Sequence, residues 1–250
     1  MSLNPPKPSP RINVLMYHQV GKFAEPTAHR ACYCDTDRFR AQMAYLKYAG
    51  YRVISLKQAY EALFEEGALA KRSVVLTFDD GYQNFIDNAY PILQEYGYPS
   101  VLFAISGLLG QPARWLDGGG LNAPLMPAST LRELRTGNVE IGAHSINHVR
   151  LSRVSAEQSW IEIAGSKAAL EDVLGAVVDW FAYPFGDYSP NVRDAVIRAG
   201  FKAAVTCSRG PANTAPNAFE IPRKGISWGD SLLGYFWKLQ MKNKRKDRYA

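Results

Sequence analysis

The chain is poor in the residues that most often carry chemistry. Of its 250 residues only four are histidine and three are cysteine. The cysteines, Cys32, Cys34 and Cys207, are odd in number, and Cys32 and Cys34 have no second cysteine pair to complete a zinc site. This argues against a disulfide framework and a cysteine zinc site, and the thiols read as reduced. No apolar run approaches the ~20 residues needed to span a bilayer. A Gly-x-Gly-x-x-Gly fingerprint and a Walker loop are both missing, which weakens nucleotide-binding readings. The opening residues, MSLNPPKPSPRINVLMYH, lack the charged, apolar and small-residue regions of a secretory signal. Localisation therefore stays open between a cytoplasmic or membrane-peripheral protein and one whose signal has been removed.

What is present is ordinary for a soluble globular protein: 47% hydrophobic and 21% charged residues. The net charge is +6, and most of the excess lies in KLQMKNKRKDR at 238–248. The remainder is close to neutral, so a nucleic-acid partner is not implied.

Short β-rich runs alternate with amphipathic stretches. The runs are INVLMY (12–17), YRVIS (51–55), SVVLTF (73–78), SVLFAI (100–105), VEIGAH (139–144), VVDWFAY (177–183), KAAVTC (202–207) and EIPRKGI (220–226). Helices are expected over 35–50, 83–97, 130–137, 155–175 and 189–200, several ending in glycine. Thr130 and Glu133 have capping-box spacing. Alternation of this kind means βαβ units and a parallel sheet. Seven or eight units in this length fit an α/β fold, a (β/α)7–8 barrel in a single domain, better than a Rossmann sheet. The expected organisation is a flexible, proline-rich arm at 1–10, a catalytic domain at 11–230, and a C-terminal helix with a basic tail at 231–250. A long Gly/Pro-rich stretch at 107–129 breaks the rhythm and belongs over the catalytic face.

The chemistry concentrates at strand ends. SVVLTF runs into DDG, which places Asp79 and Asp80 side by side where desolvation and mutual repulsion both cost. Two of the four histidines, His144 and His148, close VEIGAH in HSINH, a spacing that puts both imidazoles on one face of a helical turn. Two histidines and a carboxylate form a three-ligand set for a catalytic divalent metal, with Asp80 as the third ligand. Asp79 is then left as a general base. The bland readings are a surface histidine pair and an aspartate turn or helix cap. His18 ends the first strand on the same face, and its plain reading is a satisfied strand-end histidine. Pro184 and Gly186 force a sharp exit from WFAY, either a simple βα turn or a turn that aims backbone N–H groups into a pocket. His29 sits in a loop without strand context. These residues leave the reaction open.

TFDDG, HSINH and FAYPFG, in that order, resemble the NodB-homology polysaccharide deacetylases, carbohydrate esterases that remove N-acetyl groups from amino sugars. The resemblance runs from about residue 12 to residue 226. It implies a divalent metal, most often Zn2+, with Co2+, Ni2+ or Mn2+ as options, held by Asp80, His144 and His148. It implies Asp79 as the base and the Phe185 N–H as the oxyanion donor. The arginine that usually orients the base is replaced by Ala182, and Arg223 in IPRKGI is the candidate to reach in from another strand. The usual C-terminal acid histidine is also absent. LMYHQV is similar to the N-terminal Tyr-His stretch of poly-N-acetylglucosamine deacetylases, which implies His18 as the general acid. The implied partner is an N-acetylated glycan, and Tyr82, Trp115, Tyr183, Phe185, Tyr188 and Trp228 are candidates to stack on its sugars. LLGYFWKLQMKNKRKDRYA mixes apolar and basic residues, which gives either a helix packed on the barrel or a peripheral membrane contact. Competing readings are a hydrolase of a cyclic amide or ureide on the same scaffold, a two-histidine iron oxygenase, and a carbohydrate-binding relative with impaired catalysis.

Overall fold

The structure, a computed structural model, describes residues 3–69, 72–115 and 123–247. Its strands are β1 (Ile12–Tyr17), β2 (Gln19–Gly21), β3 (Tyr33–Asp35), β4 (Arg52–Val53), β5 (Ser73–Phe78), β6 (Ser100–Ala104), β7 (Val139–Ala143), β8 (Trp180–Ala182), β9 (Ala203–Val205) and β10 (Lys224–Gly225). Its α-helices are α1 (Thr36–Tyr48), α2 (Leu56–Phe64), α3 (Tyr90–Tyr96), α4 (Ala128–Arg135), α5 (Ala156–Leu174), α6 (Pro190–Arg198) and α7 (Leu232–Gln240).

The apolar runs become strands buried on both faces, as helices on either side of a parallel sheet require: β1 and β5 are buried at every residue. The sheet order is β10-β1-β5-β6-β7-β8-β9, with every pairing parallel. One edge of β5 belongs to β1 throughout, from Ile12–Ser73 to Tyr17–Phe78. The other edge is shared: β4 pairs its start and β6 its end. Ile221, just ahead of β10, bridges Val205 of β9 and brings the two ends of the sheet together. The result is a distorted (β/α) barrel. Because every strand runs the same way, the residues that follow them, His18, Asp79, His144, Tyr183 and Cys207 among them, gather at one end.

Helix starts are chemically specified. Asp35 accepts from the N–H groups of Asp37 and Arg38 at α1, Ser55 and Gln58 form a reciprocal capping box at α2, and Ser155, Ser189 and Ser231 cap α5, α6 and α7. α5 stops at Gly175, whose φ of 61° suits a residue without Cβ.

Several expectations are corrected. α2 was not anticipated, although Ser55 and Gln58 announce its start and Lys57, Gln58 and Glu61 share the face opposite its buried apolar residues. The stretch 83–97 is not one regular helix but a π-helical turn, Phe85–Ala89, followed by α3. Pro91 lies in the first turn of α3, where its missing N–H costs little. Thr130 and Glu133 form no capping box, because α4 already begins at Ala128 behind Pro127. EIPRKGI shrinks to the two residues of β10, since Pro222 has no N–H to offer a ladder. The arm is not loose where it is described: Lys7 N–H donates to Leu63 O at 2.7 Å, and Asn213 Nδ2 to Ser9 Oγ at 2.7 Å. Residues 1–2 of the arm, 116–122 of the long Gly/Pro-rich stretch and 248–250 of the tail lie outside the described residues.

α7 packs against α1 and buries Tyr235 and Leu239. It is latched by Lys224, whose Nζ donates to Lys238 O at 2.7 Å. Lys224 is 1% exposed and has no carboxylate partner among the described residues. Burial first, then the neighbouring charges of Arg11, Lys242 and Arg209, push its ammonium down to about 7. The folded chain therefore holds this proton less tightly than the unfolded chain. Stability should rise with pH between about 7 and the ordinary lysine value of 10.5, and be lowest where Lys224 is charged in both states. Urea midpoints measured from pH 6.5 to 9.5 should climb for the native chain and be flatter for Lys224→Met. Parallel profiles would rule the effect out.

Candidate active site

β5 delivers two carboxylates in two directions. Asp79 N–H donates to Tyr17 O at 2.9 Å, which continues the β1–β5 ladder by one residue. Asp80 then takes a φ of 76° and Gly81 a φ of 78°. The left-handed region is one that aspartate tolerates better than most residues. This reversal separates side chains that would otherwise share one environment.

Asp79 faces Arg223. The guanidinium forks onto the carboxylate, Nη1 to Oδ1 and Nη2 to Oδ2, both at 2.7 Å. Its remaining donors are used as well: Nη1 reaches Thr77 Oγ1 at 3.0 Å and Nε reaches Thr206 O at 3.0 Å. Both partners are almost fully buried. Burial alone would raise the Asp79 carboxyl, but the charge and hydrogen bonds of Arg223 hold it below the usual carboxylate range.

Asp80 faces the histidines. Its Oδ1 lies 3.4 Å from His144 Nε2 and 3.4 Å from His148 Nε2. That oxygen has no hydrogen-bond partner among the described residues, although it is buried. His144 Nδ1 is 2.7 Å from Ala182 O. A carbonyl only accepts, so Nδ1 carries the hydrogen and Nε2 is the nitrogen that faces Asp80. Burial, aided by the nearby His144 and His18, pushes His148 down to about 3, which leaves it neutral as a ligand must be. The ligand atoms of Asp80, His144 and His148 all lie within 4.8 Å of one another. Ligands about 2 Å from a divalent ion sit roughly 3–3.5 Å apart. An orphaned carboxylate oxygen flanked by two imidazole nitrogens at that spacing fits a metal, and the three residues can hold one.

HSINH does not form the helical turn expected from its spacing. It is an irregular loop in which Ser145 and His148 have φ of 62° and 56°. Glu162 of α5 holds it: its carboxylate accepts from Ile146 N–H at 3.0 Å, Asn147 N–H at 2.8 Å and Asn147 Nδ2 at 2.7 Å. Ser145 Oγ accepts from His148 N–H at 2.9 Å. Ile146 is wedged between two glycines: a Cβ on Gly107 or Gly165 would lie 2.6 or 2.7 Å from its side chain. Gly165 looks like a flaw in a helix but permits this close approach. Glu162 was missed in the sequence. The available signal was a carboxylate on the buried face of α5, between Ser159 and Ser166.

A cavity of about 350 Å³ opens over these groups. His18, Asp79, Asp80, His144, His148 and Phe185 all line it. His18 Nδ1 is buried without a hydrogen-bond partner among the described residues. Phe185 has a φ of 58° in the turn Pro184–Gly186, and its ring lies 4.4 Å from that of His148. Trp115 approaches the other side of His148, also at 4.4 Å. Two residues passed over in the sequence, His29 and Arg150, line the cavity as well. His29 is carried there by the loop ahead of β3, a position without any strand signal.

The other aromatic candidates lie elsewhere. Tyr82 is buried in a small apolar cluster with Ile105, Leu108, Ala113 and Leu125. Tyr183 is buried in the main core with its hydroxyl donating to Phe219 O. Tyr188 stacks on Tyr183 at 4.6 Å and donates to Glu220. Trp228 packs beside Phe23 and Arg38. Strand-end position suggested sugar contacts for these four; none of them lines the cavity, where Trp115 and Phe185 remain.

The chain matches the polysaccharide deacetylase family over residues 66–204. It is similar to YxkH of Bacillus subtilis, 25% identical over 221 residues that cover 88% of this chain and 73% of that protein. A poly-beta-1,6-N-acetyl-D-glucosamine N-deacetylase of Staphylococcus aureus is 26% identical over 199 residues, covering 76% of this chain and 66% of that enzyme. Among solved structures, the Streptococcus pyogenes deacetylase PplD in complex with acetate has a TM-score of 0.81 and 28% identity, covering 93% of this chain and 100% of that one. The matched residues run from before β5 into β9 and contain Asp79, Asp80, His144, His148 and Phe185, so the strand ends that build this cavity are those of the polysaccharide deacetylase family, to which the chain belongs.

Proposed function

We propose that the chain is a metal-dependent N-deacetylase that hydrolyses the acetamide of an N-acetylated amino sugar in a glycan and releases acetate. The observation that carries this reading is the division of labour between adjacent carboxylates: Asp79 locked ionised on Arg223, Asp80 set between two imidazoles, both open to one cavity. Asp80, His144 and His148 would hold the ion, with Zn2+ favoured by a mixed nitrogen and oxygen ligand set. When bound, a divalent cation supplies Lewis acidity at a carbonyl and makes water a better nucleophile at neutral pH.

Asp79 accepts the proton of the attacking water. Arg223 fixes the orientation of its carboxylate, the role that the arginine missing at Ala182 would otherwise fill. The Phe185 N–H, on a turn at the cavity wall, donates to the oxyanion that forms at the acetamide oxygen. His18 gives a proton to the departing nitrogen, so that the C–N bond breaks to a free amine. Trp115 and the Phe185 ring offer apolar faces to the sugar. Replacement of the usual arginine by Arg223 removes the main support for an impaired relative. The ureide alternative draws support from no group in the described cavity.

Acetate release from a panel of N-acetylated glycans, with metal analysis of the same preparation, tests the reading. Release that chelation abolishes and Zn2+ restores is expected; bound metal with no release from any glycan would overturn it. The residue roles separate in variants. Asp79→Asn should lower kcat by about 100- to 10,000-fold with metal content retained, whereas His148→Ala should lose the metal itself. An Asp79→Asn enzyme with normal turnover would remove Asp79 as the base.

The outer face of α7 favours a peripheral membrane contact as well. Leu233, Trp237 and Met241 are 75%, 53% and 56% exposed, and Lys242 and Lys244 follow directly. Apolar residues beside lysines suit an anionic bilayer surface. The native chain should pellet with phosphatidylserine-containing vesicles more than a Leu233→Ser/Trp237→Ser variant, and equal pelleting would sink the idea.

A further inference from the structure

Among the described residues the cavity wall carries three permanently charged side chains, Asp79, Asp80 and Arg150. Asp79 is paired with Arg223, and Asp80 lies between the two imidazoles with which it would hold a cation. Arg150 belongs to neither arrangement. Its guanidinium has no carboxylate and no hydrogen-bond acceptor among the described residues, and it lies 4.3 Å from the centre of the Phe185 ring. Stacking of this kind uses the flat face of a guanidinium and leaves the edge, with its fork of N–H donors, open. A half-buried arginine in a cavity wall, without a carboxylate partner among the described residues, is available to an acceptor from outside.

Position defines where that acceptor would sit. The Phe185 ring lies 4.3 Å from the Arg150 guanidinium and 4.4 Å from the His148 ring. The guanidinium and the Asp80, His144 and His148 cluster therefore share one aromatic neighbour at the same cavity. A substrate group that reaches Arg150 belongs to the sugar bearing the acetamide or to its immediate neighbour. Electrostatics narrows the chemistry. Deacetylation leaves an ammonium on the sugar, and a cation is repelled by an unpaired guanidinium nearby. A neutral polymer gains nothing from the charge. An anionic substituent gains a bidentate, charge-assisted contact, and it balances the new ammonium.

We infer that Arg150 forms a subsite for an anionic substituent, a phosphate ester or a carboxylate, carried by the N-acetylated sugar or its neighbour. The inference rests on the deacetylase reading of the site and narrows its substrate class. Arg150 acts here as a specificity-determining residue, outside the proton transfers.

The test uses three oligomers of equal length: neutral N-acetylglucosamine, the same oligomer bearing a 6-phosphate, and one bearing a 3-O-lactyl carboxylate. Metal-loaded native enzyme should show kcat/KM at least tenfold higher on one or both anionic oligomers than on the neutral one, and the arm that responds identifies the anion. Arg150→Gln should shrink that ratio at least tenfold, chiefly through KM, and added salt should shrink it in the native enzyme. Equal kcat/KM on all three substrates, or a proportional loss on all three in the variant, would overturn the subsite. Calorimetry separates this from the deacetylase reading. If no oligomer releases acetate, that reading fails by itself. Binding of the phosphorylated and the lactylated oligomer to metal-loaded native and Arg150→Gln protein then decides the subsite. At least tenfold weaker binding of either to the variant sustains it, and equal affinities for both refute it.

Discussion

The buried pair of Asp79 and Arg223 is the constraint around which the rest of the site is arranged. Two adjacent carboxylates at a strand end cannot both stay ionised in a desolvated cavity without compensation. Arg223 neutralises one of them completely and uses its other donors on Thr77 and Thr206. Those two residues sit on β5 and just beyond β9, so the same side chain also ties the first half of the barrel to the segment that closes it. Breaking such a pair from one side typically costs about 3–5 kcal/mol, because the other charge is stranded. Fold closure and the ionisation state of Asp79 are therefore one problem with one solution.

The second carboxylate is freed by backbone geometry. A positive φ at Asp80 turns it away from Arg223 and toward the histidines. Similar left-handed conformations recur at Ser145, His148 and Phe185, all at the same end of the barrel. Each is a conformation that costs a non-glycine residue, and each is held by its surroundings: Glu162 on the HSINH loop, Cys207 packed against Gly186 beside Phe185. Strain concentrated where side chains must converge is the expected signature of a site built for chemistry.

Much of this was legible in the sequence. Alternating apolar runs and glycine-terminated helical stretches gave the barrel, because parallel strands buried on both faces leave a strong signal. TFDDG and HSINH marked the carboxylates and histidines, because chemistry at a strand end stands out against so few histidines. The path of the HSINH loop was not legible, since the same spacing serves a helical turn. Nor was the scaffolding role of Glu162, whose partners are backbone N–H groups with no sequence signature. Aromatics were over-assigned to substrate: proximity to a strand end does not distinguish a ring that faces the cavity from one, like Tyr82 or Tyr183, that faces the core. His29 and Arg150 were invisible because loops bring them in.

The chain order of these parts has its own consequence. Asp79, Asp80, His144 and His148 all precede residue 149, but Arg223 comes much later in the chain. During synthesis, a chain that stops short of Arg223 carries the metal-ligand set and an uncompensated acidic pair, with the barrel still open at β9. In such an intermediate Asp79 has no counter-charge. The ion pair and the closure of the barrel therefore form together, once the segment after β9 has emerged.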